Sequence, residues 1–170
     1  EKAATLYTQS LHLVEAYVGR ESEDYATTLH NVAFVREAQQ RYEEALALYE
    51  EAPEIYEPCV GRQSVSYAYT LHNMAYVREA QQRYEEALAL YEEALEITEA
   101  CVGRQSVSCA ATLHNMAGVR REQQRYEEAL ELYEEALKIK EACVGRQSVD
   151  YADTLHNMAY VRDKQQRYEE

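Results

Sequence analysis

A 42-residue segment recurs along this chain of 170 residues, and no other feature limits the possible folds so strongly. The sequence Thr-Leu-His-Asn starts at positions 28, 70, 112 and 154, so the period of the repeat is constant. The copies at 62–103 and 104–145 differ at only eight of 42 positions. Because one such copy cannot bury its own apolar residues, the copies must stack on one another in an array.

Each copy begins with a helical pattern, which we call helix A. Its apolar positions lie on one side of a helix, and in the copy at 104–145 they are Leu113, Met116, Ala117 and Val119. We expect the N-cap at a position that carries Asp or Ser in every copy, namely Asp24, Ser66, Ser108 and Asp150. We expect helix A to end near the glutamine pairs at 39–40, 81–82, 123–124 and 165–166.

A second helical pattern, helix B, follows in each copy. In the copy at 104–145 it runs from Arg125 to about Val144, with small and apolar residues at every third or fourth position. A glycine ends it, where a left-handed (αL) residue is expected, at Gly19, Gly61, Gly103 and Gly145. Stacked pairs of such helices cover each other's apolar faces, so the pattern predicts an all-α solenoid.

These residues resemble the tetratricopeptide repeat (TPR), and the 42-residue length is similar to that of the kinesin-light-chain type. The resemblance rests on the Arg-Tyr-Glu-Glu-Ala opening of helix B and on the core signature Leu113, Met116-Ala117, Ala129, Tyr133 and Ala136. It extends over the whole chain and implies a TPR-like α-solenoid, a right-handed superhelix of antiparallel helix pairs. We expect a single domain over residues 1–170, with about four 42-residue copies, that starts within a helix B and ends at the start of another.

Three positions depart from the family pattern. An arginine stands where the family usually has a large aromatic residue, and we expect it to reach acidic groups of helix B, at Arg36, Arg78, Arg120 and Arg162. A glutamine replaces the usual glycine of the A–B turn, so we expect a turn of different shape, at Gln40, Gln82, Gln124 and Gln166. Pro53 replaces the leucine found at Leu95 and Leu137, and it predicts a kink in its helix because proline lacks the backbone N–H.

The resemblance places helix A along a concave groove. Most helix A differences between the copies at 62–103 and 104–145 fall on one face of this helix, which also carries the repeated His and Asn. Asparagine amides can donate and accept hydrogen bonds to the backbone of an extended segment. We therefore predict a groove for a peptide or partner segment, formed by His30, Asn31, Phe34, Tyr69, His72, Asn73, Tyr76, His114, Asn115, Arg121, His156, Asn157, Tyr160 and Lys164. The alternative is that these are solvated positions that vary without selection.

Composition argues against several other functions. A net charge of -14 is unsuited to nucleic acid, and no apolar run is long enough for a transmembrane helix. We expect no metal site, because stacked copies set the repeated histidines ~10 Å apart, whereas zinc ligands lie ~2.0–2.3 Å from one ion. No catalytic constellation or phosphate-binding loop is present, so we expect neither an enzyme nor a cofactor.

The four cysteines fit a reducing compartment. Cys59, Cys101 and Cys143 share one repeat position, and copies ~10 Å apart are too distant for a disulfide. We therefore expect a cytoplasmic protein.

The sequence favours a scaffold that binds a protein or peptide segment, without nucleic acid or membrane. The alternative is a structural spacer or self-associating array with no dedicated ligand. Near-identical copies and uncapped ends, which would allow homo-oligomers, favour this alternative.

Overall fold

The computed structural model describes residues 2–169, and the side chains of all of these except residues 3, 4 and 167–169. This part of the chain contains eight α-helices and no strand, so the predicted all-α class is confirmed. None of the described helices is long and apolar enough to cross a membrane. The helices are α1 (Lys2–Tyr17), α2 (Glu23–Ala38), α3 (Tyr42–Val60), α4 (Val65–Ala80), α5 (Tyr84–Val102), α6 (Val107–Glu122), α7 (Tyr126–Val144) and α8 (Val149–Glu169).

The even-numbered helices are the A helices, and the others have the helix B pattern. The chain divides into two compact units, unit 1 over Glu1–Ile97 and unit 2 over Thr98–Glu170. In unit 1, α2 packs on α1, α3 and α4; in unit 2, α7 packs on α6 and α8.

Small residues allow this close packing of helices. In unit 1, Ala33, Ala45 and Ala52 have no exposed surface, and the ring of Tyr49 is fully buried among them. In unit 2, Ala129 and Tyr133 occupy the matching core positions. Each fully buried aromatic ring removes a large apolar area from water, which makes these tyrosines major sources of stability.

The predicted N-caps were wrong by two residues. The caps are serines in an extended conformation, and the Ser22 Oγ accepts a hydrogen bond from the Tyr25 N–H at 3.2 Å. Asp24 lies inside the first turn instead, where its carbonyl accepts from the Thr28 hydroxyl at 2.8 Å. The same cap recurs in the other copies, at Ser64, Ser106 and Ser148.

The A–B turn is a Schellman motif. The Gln40 N–H donates to the Glu37 carbonyl at 2.8 Å, and the Arg41 N–H donates to the Arg36 carbonyl at 2.9 Å. The turn glutamine has a φ of 59° to 61° at Gln40, Gln82 and Gln124. The altered turn that we expected is therefore not seen, because glutamine takes the left-handed conformation that glycine favours.

The fourth copy differs at this turn. α8 continues to Glu169, so its helix A does not end near Gln165–Gln166 as predicted. In the other copies the turn is held by a following helix B that packs back on helix A.

The glycines that end helix B have positive φ, but they are not in the αL conformation we expected. Gly61 has φ 83° and ψ 160°, and Gly145 has φ 79° and ψ 165°. This region is open essentially to glycine alone. The N–H of Gly61 still satisfies helix carbonyls, those of Tyr56 and Glu57, at 3.1 Å.

The predicted role of the helix A arginines is confirmed. Arg78 pairs with Glu50 at 3.1 Å and with Glu86 at 3.6 Å, both on B helices. Equivalent pairs are Arg36–Glu44, Arg120–Glu128 and Arg162–Glu134. Pro53 lies buried within α3, which continues through it as an α-helix; the kink stays a prediction.

Candidate functional site

All fourteen predicted groove residues lie on the A helices, but the structure separates them by burial. His30 and Asn73 are buried, at 6% and 8% exposure. Asn31, His72, His114, Asn115, Arg121, Asn157 and Lys164 are half-buried. The exposed members are Phe34, Tyr69, Tyr76, His156 and Tyr160.

His30 joins α2 to α4 through both ring nitrogens. Its Nδ1 lies 3.0 Å from the Thr70 Oγ1, and its Nε2 lies 3.2 Å from the Asn73 Nδ2. The Asn73 amide nitrogen can only donate, so the His30 Nε2 accepts and the Nδ1 carries the proton. The Thr70 hydroxyl accepts the hydrogen bond from the His30 Nδ1–H and donates a hydrogen bond to the Ser66 carbonyl at 3.0 Å. In each of these three hydrogen bonds, a donor therefore faces an acceptor.

This arrangement requires a neutral imidazole. Burial lowers the pKa of His30 from 6.5 to about 4, because a charged ring would lose its hydration. Protonation would also place the new Nε2–H against the Asn73 Nδ2, which is itself a donor and cannot accept it. Burial likewise lowers the pKa of His72 to about 4.

Unit 2 repeats the arrangement and adds a lysine. The His114 Nδ1 lies 3.1 Å from the Thr154 Oγ1, and the His114 Nε2 lies 3.3 Å from the Asn157 Nδ2. Lys140, only 6% exposed, donates to the same Thr154 hydroxyl at 2.8 Å and to the Asp150 carbonyl at 3.1 Å. Burial lowers the pKa of Lys140. Burial and then the Lys140 charge lower the pKa of His114 to about 4.

The histidine–asparagine pairs thus hold helices together. This corrects the expectation that His30 and Asn73 face a partner, since each is buried and satisfied by the other. The sequence does contain the signal, because each pair joins a histidine to the threonine 40 residues later and the asparagine 43 residues later. The tetrapeptide Thr-Leu-His-Asn, taken along one helix, does not show that its histidine bonds to the threonine and asparagine of the next copy.

The structure also reveals buried tyrosine–carboxylate pairs that sequence reasoning missed. The Tyr49 hydroxyl donates to the Glu37 Oε2 at 2.9 Å, and the Tyr91 hydroxyl donates to the Glu79 Oε2 at 3.1 Å. Burial raises the pKa of Glu37, and the Tyr49 hydrogen bond opposes that rise. No Lys or Arg in the described part of the chain forms an ion pair with Glu37. Glu37 is therefore a partly desolvated carboxylate held in place by its tyrosine.

Beyond α1, which exposes Tyr7 and Tyr17, the strongly exposed aromatic rings of the described residues lie on the A helices. From α2 to Gln166, the aromatic side chains with large exposure are Phe34, Tyr69, Tyr76 and Tyr160, at 47% to 55%. The other tyrosines in this range are buried or half-buried. The Tyr69 ring also stacks near His30, with ring centroids 4.9 Å apart, so it is held in position.

Unit 2 has a polar cavity beside Tyr160. The guanidinium of Arg121 lies 5.7 Å from the Tyr160 ring centroid, and the Lys164 ammonium lies 5.4 Å from it. Arg121 is fixed by the Asn157 Oδ1 at 3.1 Å and by Glu122 at 2.8 Å. The cavity has a volume of about 200 Å³ and is lined by Arg121, Glu122, Gln124, Tyr126, Tyr160 and Lys164.

The described residues contain no group of three or more His, Cys, Asp or Glu side chains that could hold a metal ion. Within the described residues, the four cysteines form no disulfide, and Cys109 is the buried one.

Comparison with solved structures confirms the predicted TPR-like solenoid fold. The crystal structure of BtubC (BKLC) from P. vanneervenii is 24% identical and has a TM-score of 0.84 over 95% of this chain. The chain spans 65% of the length of that protein. A putative kinesin light chain from Podosopora anserina, with nearly identical TPR-like repeats, is 21% identical, with a TM-score of 0.78 over 99% of this chain and 80% of its own. A singly substituted form of that protein has a TM-score of 0.79.

A family model also matches along the sequence. No curated protein shows a significant match to this chain. The model of the tetratricopeptide repeat matches four overlapping stretches, residues 1–58, 24–100, 66–142 and 108–170. These stretches cover the chain from end to end, and the eight helices follow the same period. The chain therefore belongs to the tetratricopeptide repeat family.

Proposed function

We propose that this chain is a scaffold that binds a peptide or partner segment along the exposed side of its A helices. TPR proteins generally act in protein–protein interaction, and this chain has the exposed surface that such a role needs. The observation that carries the proposal is the set of half-exposed rings Phe34, Tyr69, Tyr76 and Tyr160. Solvent-exposed aromatic rings on a rigid scaffold are typical contact residues of interfaces.

The hydrogen bonds of the buried His30 support this proposal in a different way than the sequence suggested. Because His30, Thr70 and Asn73 bond to one another, the helices that carry the rings are held in fixed register. A preorganised surface loses less conformational entropy when a partner binds. The histidine–asparagine pairs are therefore positioning residues, and the rings and charged side chains make the contacts.

A peptide selection tests the proposal. A random peptide library is selected against the intact chain, and the enriched peptides are measured against the Tyr69→Ala/Tyr76→Ala variant. We expect a loss of binding of at least about tenfold, as for the removal of central aromatic contacts. The matched control is Glu54→Ala/Glu96→Ala, which changes exposed side chains on B helices and should leave affinity within about twofold. Equal loss in both variants, with unchanged helicity, would contradict the proposal.

A self-associating array is the second candidate. It is favoured by the apolar side chains that α1 exposes, Leu6, Leu13 and Tyr17, at 57% to 85%. Light scattering across a concentration series separates the two candidates. A constant monomer mass favours the peptide scaffold, and a mass that rises with concentration and falls in Leu6→Lys/Leu13→Lys favours the array.

A further inference from the structure

The two units carry the same tyrosine in opposite charge environments. Tyr76 of unit 1 and Tyr160 of unit 2 are two repeats apart in the sequence, so they occupy equivalent positions. The same offset relates Glu37 to Arg121 and Ala80 to Lys164. The repeat thus supplies an internal comparison, in which one scaffold position is seen with two sets of neighbours.

In unit 2 this ring already has cations beside it. The Arg121 guanidinium lies 5.7 Å from the Tyr160 centroid and the Lys164 ammonium lies 5.4 Å from it. At such distances a cation is attracted to the negative face of the ring. A cationic side chain at the position of Arg121 or Lys164 therefore lies beside the tyrosine ring of this repeat position.

In unit 1 the chain supplies no cation at those positions. Glu37 stands where unit 2 has Arg121, and the small Ala80 stands where unit 2 has Lys164. Tyr76 is 48% exposed, so the ring is open to a partner. Burial raises the pKa of Tyr76, and the negative charges of Glu37 and Glu79 raise it further.

The carboxylate of Glu37 is positioned to bind a positively charged side chain of a partner. Its Oε2 accepts from Tyr49, which fixes the carboxylate and leaves its other oxygen to accept a second hydrogen bond. A guanidinium is planar, stacks on aromatic faces and donates to a carboxylate at the same time. One arginine side chain could therefore contact the Tyr76 ring and the Glu37 carboxylate together.

We propose that the Tyr76–Glu37 face of unit 1 is a docking site for an arginine or lysine side chain of an extended basic segment. The inference rests on the proposed function and names the chemistry of the partner. The equivalent face of unit 2 rejects the same side chain, because Arg121 and Lys164 repel it and already lie beside the ring.

The test uses a fluorescein-labelled peptide of alternating glycine and arginine, and a matched peptide with citrulline in place of arginine. Citrulline keeps the shape of arginine but has no charge. Fluorescence anisotropy is measured on the full chain at physiological salt. We expect the arginine peptide to bind at least about tenfold more tightly than the citrulline peptide.

Two substitutions then locate the site. Glu37→Arg gives unit 1 the residue that unit 2 carries, so we expect the fold to be kept, which circular dichroism checks, and binding to fall by about tenfold or more. Glu54→Arg makes the same change of net charge at an exposed position of α3, and we expect a loss of no more than about twofold. Tyr76→Ala should weaken binding, whereas Tyr160→Ala should leave it unchanged.

Three results would overturn the inference: equal binding of the two peptides, equal losses in Glu37→Arg and Glu54→Arg, or no binding of the arginine peptide. The proposed scaffold function is judged separately, by the random peptide selection. If the selection returns acidic or apolar peptides that need Tyr69 and Tyr76, the scaffold stands and only the basic partner is wrong. If the selection returns no peptide and the arginine peptide does not bind, both fail.

Discussion

In unit 1, in addition to burial, the negative charges of Glu37 and Glu79 raise the pKa of Tyr76, whereas in unit 2 the equivalent Tyr160 lies beside Arg121 and Lys164. The buried positions beneath these rings hardly differ. Tyr49 and Tyr133 are both fully buried, and each lies next to an equivalent histidine, His30 or His114. The repeat thus keeps most of its core residues and changes the charge of its surface. Such a scaffold can offer different contacts in successive copies without losing its fold.

The units also differ inside the core, at one position of helix B. Unit 1 has Tyr56, whose hydroxyl lies 3.0 Å from the Thr27 Oγ1, and unit 2 has Lys140. A buried ammonium costs more desolvation than a phenol does. The lysine is tolerated because the Asp150 carbonyl and the Thr154 hydroxyl accept its protons.

The largest expected effect concerns the helix that distinguishes unit 1 from unit 2. Pro53→Leu installs the residue that α7 carries at Leu137, and it should raise the free energy of unfolding by up to about 3 kcal/mol, because a backbone hydrogen bond is restored. Thermal denaturation followed by circular dichroism measures the change. Pro58→Ala, near the end of the same helix, should give a smaller gain. An unchanged or lower midpoint in Pro53→Leu would show that α3 accommodates its proline without cost.

The next effect compares the two threonines that bond to histidines. Thr70→Val removes one acceptor and leaves the His30 Nδ1–H unpaired, so it should cost about 1–2 kcal/mol. Thr154→Val should cost about 2–3 kcal/mol, because both His114 and the charged Lys140 lose an acceptor. Urea denaturation of both variants measures the difference. Equal losses would mean that Lys140 does not depend on Thr154.

The buried histidines predict a pH dependence of stability. The pKa of His30 is about 4 in the folded protein and about 6.5 in the unfolded chain. The unfolded state therefore binds more protons between these values, so stability is complete above pH ~6.5 and falls toward pH ~4. The contribution of His30 to the slope is at most about 1.4 kcal/mol per pH unit.

Urea titrations at several pH values test this contribution against the wild-type protein. His30→Gln should flatten the pH dependence, and His30→Gln/His72→Gln should flatten it about twice as much. Parallel curves for wild type and both variants would contradict the assignment of a neutral, buried imidazole.

The smallest effect compares two turn positions of the repeat. Gln82→Gly should stabilise the protein by about 0.5–1 kcal/mol, because a φ of 61° strains any residue except glycine. Gln166→Gly should instead cost up to about 1 kcal/mol, because Gln166 lies within α8. Thermal midpoints of the two variants should move in opposite directions, and movement in the same direction would contradict the difference between the two turns.

Much of the fold was predictable because it follows from local periodicity. The 42-residue spacing fixed the number of helices per copy, and the glycines and the Arg–Glu contacts were found where the pattern put them. The N-cap was missed because Ser and Asp both cap helices well, and only the backbone shows that Ser22 rather than Asp24 is extended. The continuation of α8 was not predictable from the pattern, because this copy has the same turn sequence, Gln-Gln-Arg-Tyr-Glu-Glu, as the others.

The candidate site was harder to predict, since it depends on contacts between copies. His30 and Tyr76 both lie on A helices. The His30 side chain hydrogen-bonds to the next copy, whereas the Tyr76 side chain is exposed. A helix pattern cannot separate these outcomes, because burial depends on which copy packs beside it. The proximity of Arg121 to Tyr160 likewise arises only when two A helices lie side by side.

The most direct test of the central claim is a map of amide chemical-shift changes by NMR as the arginine peptide is added to the intact chain. The account predicts changes on α2 and α4 around Glu37 and Tyr76, with little change around Arg121 and Tyr160. Changes of similar size at both tyrosines, or changes confined to the B helices, would contradict the claim that the repeat directs its contacts by the charge beside this ring.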